Sequence, residues 1–228
     1  MSKLSLTFGV SSMKKFTLAL ALCLASAGFA QADLILSGVV DRDLTGGNPK
    51  AIIVTATANI TDLSNFGLGS ANNGGGTDGE EFTFPMISLS AGDTFIIAGN
   101  GPSAEFFTGC FDHTVFTDGA AIINGDDAIE LFQNGAVIDT YGDIAVDGTG
   151  QTWEYSDGYA VRNSGAAGAF VESDWTIVDD GLDGLDEAAQ KTIIGDVFQL
   201  DAIAVPEPAT ATLFAFVGLG LCSLRRRS

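Results

Sequence analysis

The sequence predicts an all-β sandwich, on three observations. Short runs rich in Val, Ile, Thr and aromatic residues recur through the middle of the chain, separated by Gly-, Asn- and Asp-rich turns. Asn134-Gly135 divides two of them, 128–133 and 136–141, and this dipeptide readily supplies the two positive φ angles of a tight hairpin turn. Between residues 33 and 178 no segment carries a convincing helical period.

Taken in order, 34–40 is an apolar strand, and the Asp-, Gly- and Pro-rich stretch 41–49 is a loop. A β-branched strand follows at 50–58, then a short strand at 66–68. The glycine-rich stretch 69–79 could cradle phosphate only if a helix followed; an alternating run follows instead, so it reads as a loop. In that run, 80–89, Phe82, Phe84 and Met86 recur at period two, and Pro85 confines the strand to an edge or a bulge. The fully apolar 94–98 is a further strand. An irregular stretch, 99–112, is expected to tuck Phe106, Phe107 and Phe111 onto the core before a strand at 114–117. After the hairpin, Trp153-Glu154-Tyr155, 159–163 and 174–178 are strand-like and aromatic. Residues 179–205 read as an acidic capping segment running into a stalk, with one short helix at 186–194.

Both ends stand apart from this domain. Lys14 and Lys15 precede an apolar run, and Ala30-Gln31-Ala32 has the small-x-small form of a signal peptidase site, so 1–32 reads as a secretory signal peptide whose true start is Met13. At the other end, Pro206-Glu207-Pro208 is followed by an apolar run, 209–224, and then Arg225, Arg226 and Arg227. Sixteen residues is short against the roughly 20 of a spanning helix, yet the arginines would hold that end on the cytoplasmic side. The expectation is a transient inner-membrane anchor. This tripartite tail, 206–228, resembles the PEP-CTERM sorting signal of Gram-negative bacteria. The resemblance implies an exosortase partner that cuts near Pro206 to Pro208, and release to the outer surface or into secreted polysaccharide.

All 29 acidic residues lie between Asp33 and Pro208, where Arg42, Lys50, Arg162 and Lys191 are the only Lys or Arg. Such a charge repels nucleic acid and anionic lipid, so neither is an expected partner of the domain. Cys23 and Cys222 fall in the two ends. Cys110 alone remains, which excludes an intramolecular disulfide and makes it a small buried hydrophobe.

Chemistry-bearing patterns are sparse. His113 is the only histidine, no Gly-x-Ser-x-Gly elbow accompanies it, and one His with one Cys cannot close a zinc site. No pair of acids stands out as a glycosidase pair, and the reading is non-enzymatic, with no catalytic, cofactor or metal residue assigned. The rival is an extracellular hydrolase or an accessory domain of a secreted nuclease or hydrolase system, which would present a cleft of convergent carboxylates. Calcium is the cation that the acidic loops 41–43, 78–81, 126–127, 143–147 and 179–186 would suit, although none has EF-hand spacing.

The stretch Asn124-Gly125-Asp126-Asp127-Ala128-Ile129-Glu130-Leu131, the hairpin ending in Ile138-Asp139, and 88–98 with Ala91-Gly92 between strands together resemble the lamin-tail domain. Lys50-Ala51-Ile52 fits an early strand of that family, with Ile53 where an acid is usual. The resemblance covers roughly 34–178 and implies an immunoglobulin-like sandwich without catalytic residues. The function expected is a structural or binding module of the cell surface or matrix. Extracellular polysaccharide is the candidate partner, with Trp153, Tyr155, Tyr159 and Trp175 as rings to stack on sugars if exposed. A two-residue turn at Asn134-Gly135 also sets Glu130 directly opposite Asp139, a like-charge pairing that is destabilising. Relief would have to come from Arg42, Lys50, Arg162, Lys191, a bound metal, solvent or a bulge that changes the register, and Arg162 or Lys50 is expected within reach of the pair.

Overall fold

The structure is a computed structural model that describes residues 32–200, apart from 43 and 45. Among the described residues ten strands form two sheets. The first contains β1 (Leu34–Val40), β2 (Ala51–Ala56), β5 (Thr94–Ala98), β6 (Thr114–Thr117), β9 (Tyr159–Arg162) and β10 (Trp175–Val178), in the order β10-β9-β1-β2-β5-β6. The second contains β3 (Phe66–Ala71), β4 (Phe82–Thr83), β7 (Ala128–Gln133) and β8 (Ala136–Tyr141), in the order β4-β3-β7-β8. Every pairing is antiparallel except β5 with β6, which are parallel and joined through helix α1 (Gly101–Thr108).

The sheets pack face to face as a sandwich. Leu34, Leu36, Ile52, Val54, Phe95 and Ile97 of the larger sheet meet Leu68, Ile129, Leu131 and Tyr141 of the smaller one, all of them buried. The larger sheet is covered on its other face too. There Val40, Ile53 and Ile96 pack against Phe106 and Phe107 of α1, Phe111, Leu182, Leu200 and Ile194 of helix α2 (Glu187–Phe198). This double burial explains why Ile52-Ile53-Val54 and Phe95-Ile96-Ile97 run apolar without alternating, since both faces of each strand leave water. Each such side chain contributes about 1.5–3 kcal/mol by that burial.

Several expectations are corrected. The stretch expected to be irregular contains α1, whose N-cap Asn100 accepts a hydrogen bond from Ser103 N at 2.9 Å, with Pro102 in the first turn. Two helical turns are too short for a period to show in the sequence. The run 80–89 keeps only Phe82–Thr83 as strand, as a proline at 85 cannot donate to a ladder. Trp153-Glu154-Tyr155 is a turn and not a strand: Glu154 N donates to Gln151 O, while Trp153 and Tyr155 plug the core. Their alternation reports two inward-facing rings, not a pleat. Helix α2 runs four residues past the expected end and stops where Gln199 turns left-handed at φ 54°.

The hairpin forms, but its register differs from the expected one. Gln133 faces Ala136 and Phe132 faces Val137; a bulge then shifts the pairing, so that Leu131 faces Asp139 and Glu130 faces Thr140. Glu130 and Asp139 therefore do not oppose each other. The bulge turns Asp139 to the face of Leu131, which is the inside of the sandwich.

Candidate functional site

Asp139 arrives in the interior 1 % exposed and is met there by Arg162 of β9. Arg162 Nη2 donates to both carboxylate oxygens at 2.8 Å, its Nε to Leu36 O at 2.7 Å, and its Nη1 to Ala166 O at 3.2 Å. Leu36 N and Gly168 N also donate to Asp139, at 2.8 and 3.0 Å. The guanidinium lies 4.6 Å from the ring centroid of Trp175 in β10. Leu36 stands beside a second irregularity, where the pairing of β1 with β2 skips Ser37. Two bulges and one ion pair thus join β8 of the smaller sheet to β1, β9 and β10 of the larger. Burial pushes the Asp139 carboxyl above the usual range, while Arg162 and the backbone donors pull it back. This is a clasp between sheets; its donors and acceptors are spent on one another.

Lys50, just ahead of β2, pairs with Asp41 and donates to Ile123 O. Burial raises Asp41 as it raises Asp139, against the pull of Lys50. Arg42 is a different case. It is 4 % exposed and donates through Nη2 to Leu185 O at 2.8 Å, while its Nε and Nη1 are buried without a hydrogen-bond partner among the described residues. Gln190 of α2 donates to the same carbonyl at 2.7 Å.

Two of the acidic loops that would suit calcium, 143–147 and 179–186, spend carboxylates on turns. Asp186, like Asp62 and Asp118 elsewhere in the chain, accepts from the first backbone N–H groups of the helical turn that follows it. Asp143 and Asp147 do the same two residues ahead, for Ala145 N and Thr149 N. Among the described residues no group of three His, Cys, Asp or Glu side chains is placed to hold a metal ion.

One end of the sandwich is denser in carboxylates. Three loops meet there, 72–76, 124–127 and 143–156. Asp127 accepts from Asn73 N and Asn124 N, and burial raises its carboxyl. Asp126 Oδ2 accepts from Thr149 Oγ1 at 2.9 Å, while its main-chain carbonyl accepts from Gly148 N. Asp126 Oδ1 is buried and has no hydrogen-bond partner among the described residues. Gly125 sits at φ +86° against the backbone of Ser156, with which a Cβ would collide, so loop 143–156 lies directly on this turn.

Trp153, Tyr155 and Trp175 are all buried, and Tyr159 is partly so. They form no exposed stacking platform: Tyr141 makes edge-to-face contacts with Trp153, Tyr155 and Trp175 in the core. His113 Nδ1 lies 3.2 Å from Thr94 O and its Nε2 is buried. Cys110 is partly exposed beside Lys191, in place of the full burial expected of it. The tail residues Pro206, Glu207, Pro208, Arg225, Arg226 and Arg227, and Ala30 of the cleavage site, lie outside the described residues. Ala32, its last position, immediately precedes the strand-forming region, and its carbonyl accepts from Thr57 Oγ1 at 2.5 Å. Within the described residues no helix is long and apolar enough to cross a membrane. No family model, curated protein or solved structure matches this chain.

Proposed function

We propose that this protein is an exported structural module of the bacterial cell surface or extracellular matrix, a lamin-tail-like sandwich sorted by a PEP-CTERM tail. The observation that carries the reading is the tail itself. Pro206-Glu207-Pro208, sixteen apolar residues and three arginines follow closely on a two-sheet domain. Signal peptidase removes 1–32, the apolar segment 209–224 holds the chain in the inner membrane for a time, and an exosortase releases it. The acidic composition supports a soluble, non-nucleic-acid role outside the cell. The sandwich itself supports a module built for persistence, since its buried ion pairs join separate elements.

Extracellular polysaccharide remains the partner in this reading, with a changed mode of contact. Three of the four rings are in the core, so hydroxyl groups would be received by polar side chains, as in the recess lined by Asn59, Thr61, Asn65, Gln133 and Asn134. The test is fractionation of cells producing the full chain, with and without an active exosortase. Accumulation at the outer surface or in the medium only when the exosortase is present supports the reading. Equal distribution in both strains contradicts it.

A further inference from the structure

We infer that the signal segment is cut from this chain before the sandwich folds, because the bond to be cut, between Ala32 and Asp33, is tied to the end of the larger sheet. The inference rests on the export reading above, which places the cleavage after Ala32. In the folded domain Thr57 Oγ1 donates to Ala32 O at 2.5 Å, and Thr57 N donates to Asp33 O at 2.8 Å. These bonds extend the ladder in which Leu34 faces Ala56 and Ile35 faces Thr55. The carbonyls on both sides of the bond are therefore held by the residue that follows β2.

The residues just past the bond are held more firmly still. Leu34 and Leu36 are 0 % exposed. Leu36 N donates to Asp139 Oδ2 at 2.8 Å, and Leu36 O accepts from Arg162 Nε at 2.7 Å, so the clasp between the sheets closes on the start of β1. One edge of this segment is taken by β2, and the other by Asp139 and Arg162.

Hydrolysis adds the oxygen of water to the Ala32 carbonyl carbon as the bond from that carbon to Asp33 N breaks. The acid formed passes its proton to the amine, which leaves a carboxylate on Ala32 and an ammonium group on Asp33. A peptidase reads an extended segment along its backbone, and its own hydrogen-bond donors receive the carbonyl oxygen as charge develops there. In the folded domain Ala32 O and the backbone after it already have partners. Presenting them would expose Leu34 and Leu36 and part Leu36 from Asp139 and Arg162. Cleavage of the folded chain then follows the small population in which this segment is open, which slows it about a hundredfold or more. The chain accordingly meets its signal peptidase unfolded, and a domain that folds first keeps 1–32.

The test compares full-length precursors in detergent, each incubated with purified signal peptidase and read by intact mass. The first is the natural chain, folded. The second carries a flexible Gly-Ser insertion between Asp33 and Leu34, which moves the bond away from β1. The third combines Leu68→Asp with Leu131→Asp, two facing core positions, and is unfolded by the buried charge. Tryptophan emission reports the state of each, since Trp153 and Trp175 are buried in the folded domain. Rapid cleavage after Ala32 is expected in the second and third chains, and cleavage slower by about a hundredfold or more in the first. Equal rates for the folded natural chain and the unfolded one overturn the inference and leave the export reading in place. A folded insertion variant as resistant as the natural chain also overturns it, because the protection would then lie outside β1. If the insertion prevents folding, the first and third chains decide. No cleavage after Ala32 in the unfolded chain overturns the reading of 1–32 as a signal peptide, and the inference with it.

Discussion

Asp139 and Arg162 illustrate how one residue's position can decide the relation between two sheets. Removing the carboxylate would leave Arg162 buried with Leu36 N and Gly168 N unpartnered. Asp139→Ala is therefore expected to cost about 3–5 kcal/mol, measured by denaturant unfolding. Asp139→Leu combined with Arg162→Met should recover much of that loss; a single-variant cost below about 1 kcal/mol would mean that the clasp does not join the sheets. Arg42 calls for the opposite expectation. Its Nε and Nη1 are buried without partners among the described residues, so the folded state bears their desolvation. Arg42→Met should change stability by less than about 1 kcal/mol or increase it, read from the denaturant midpoint. A loss of several kcal/mol would show that those donors are satisfied in solution.

Among the elements, the hairpin was the most legible and also the most instructive in its error. Asn134-Gly135 specified the turn, with φ 51° and 77°, because few other pairs tolerate two left-handed residues in succession. The bulge at Ile138 was not legible, since no local rule separates a bulged strand from a regular one when both place apolar residues inward. What the sequence did contain was the conflict, an acid facing an acid in a stretch without cations. The structure resolves it by both expected routes, a bulge and Arg162. Helix α1 was missed for want of length, although Asn100, Pro102 and Ser103 form a capping signature in retrospect. Asn100→Ala removes the acceptor for Ser103 N and should cost about 1 kcal/mol, seen as a lower thermal midpoint. No change would mean that α1 is held by Phe106 and Phe107 alone. The calcium-suited loops were legible as turns, but which acid would be left with an idle oxygen depended on how 143–156 folds over 124–127. That is long-range packing, beyond any reading of local spacing.

At the scale of the molecule, charge sets the response to pH. Burial is the largest influence on Asp41, Asp127 and Asp139, and it raises all three. In the unfolded chain they titrate near the ordinary value of about 3.9, so the folded state holds their protons to higher pH. Their contribution is fully present below that ordinary value and is lost as pH rises through the raised values. Mild acidification from neutrality also reduces the self-repulsion of a chain with a net charge of −19. The thermal midpoint should accordingly rise as pH is lowered from neutrality through the raised values of these carboxylates. A midpoint that falls steadily over the same interval would mean that these carboxylates are better stabilised as anions than their burial implies.

In the proposed function the sandwich is delivered outside the cell by removal of both ends. Its most direct test is the intact mass, with sequenced terminal peptides, of the protein recovered from the surface or medium of an exosortase-bearing host. The expected product has an N-terminus at Asp33 and a C-terminus between Val205 and Pro208, with Arg225, Arg226 and Arg227 absent. An exported protein that keeps the three arginines, or a chain found only inside the cell with 1–32 intact, would contradict it.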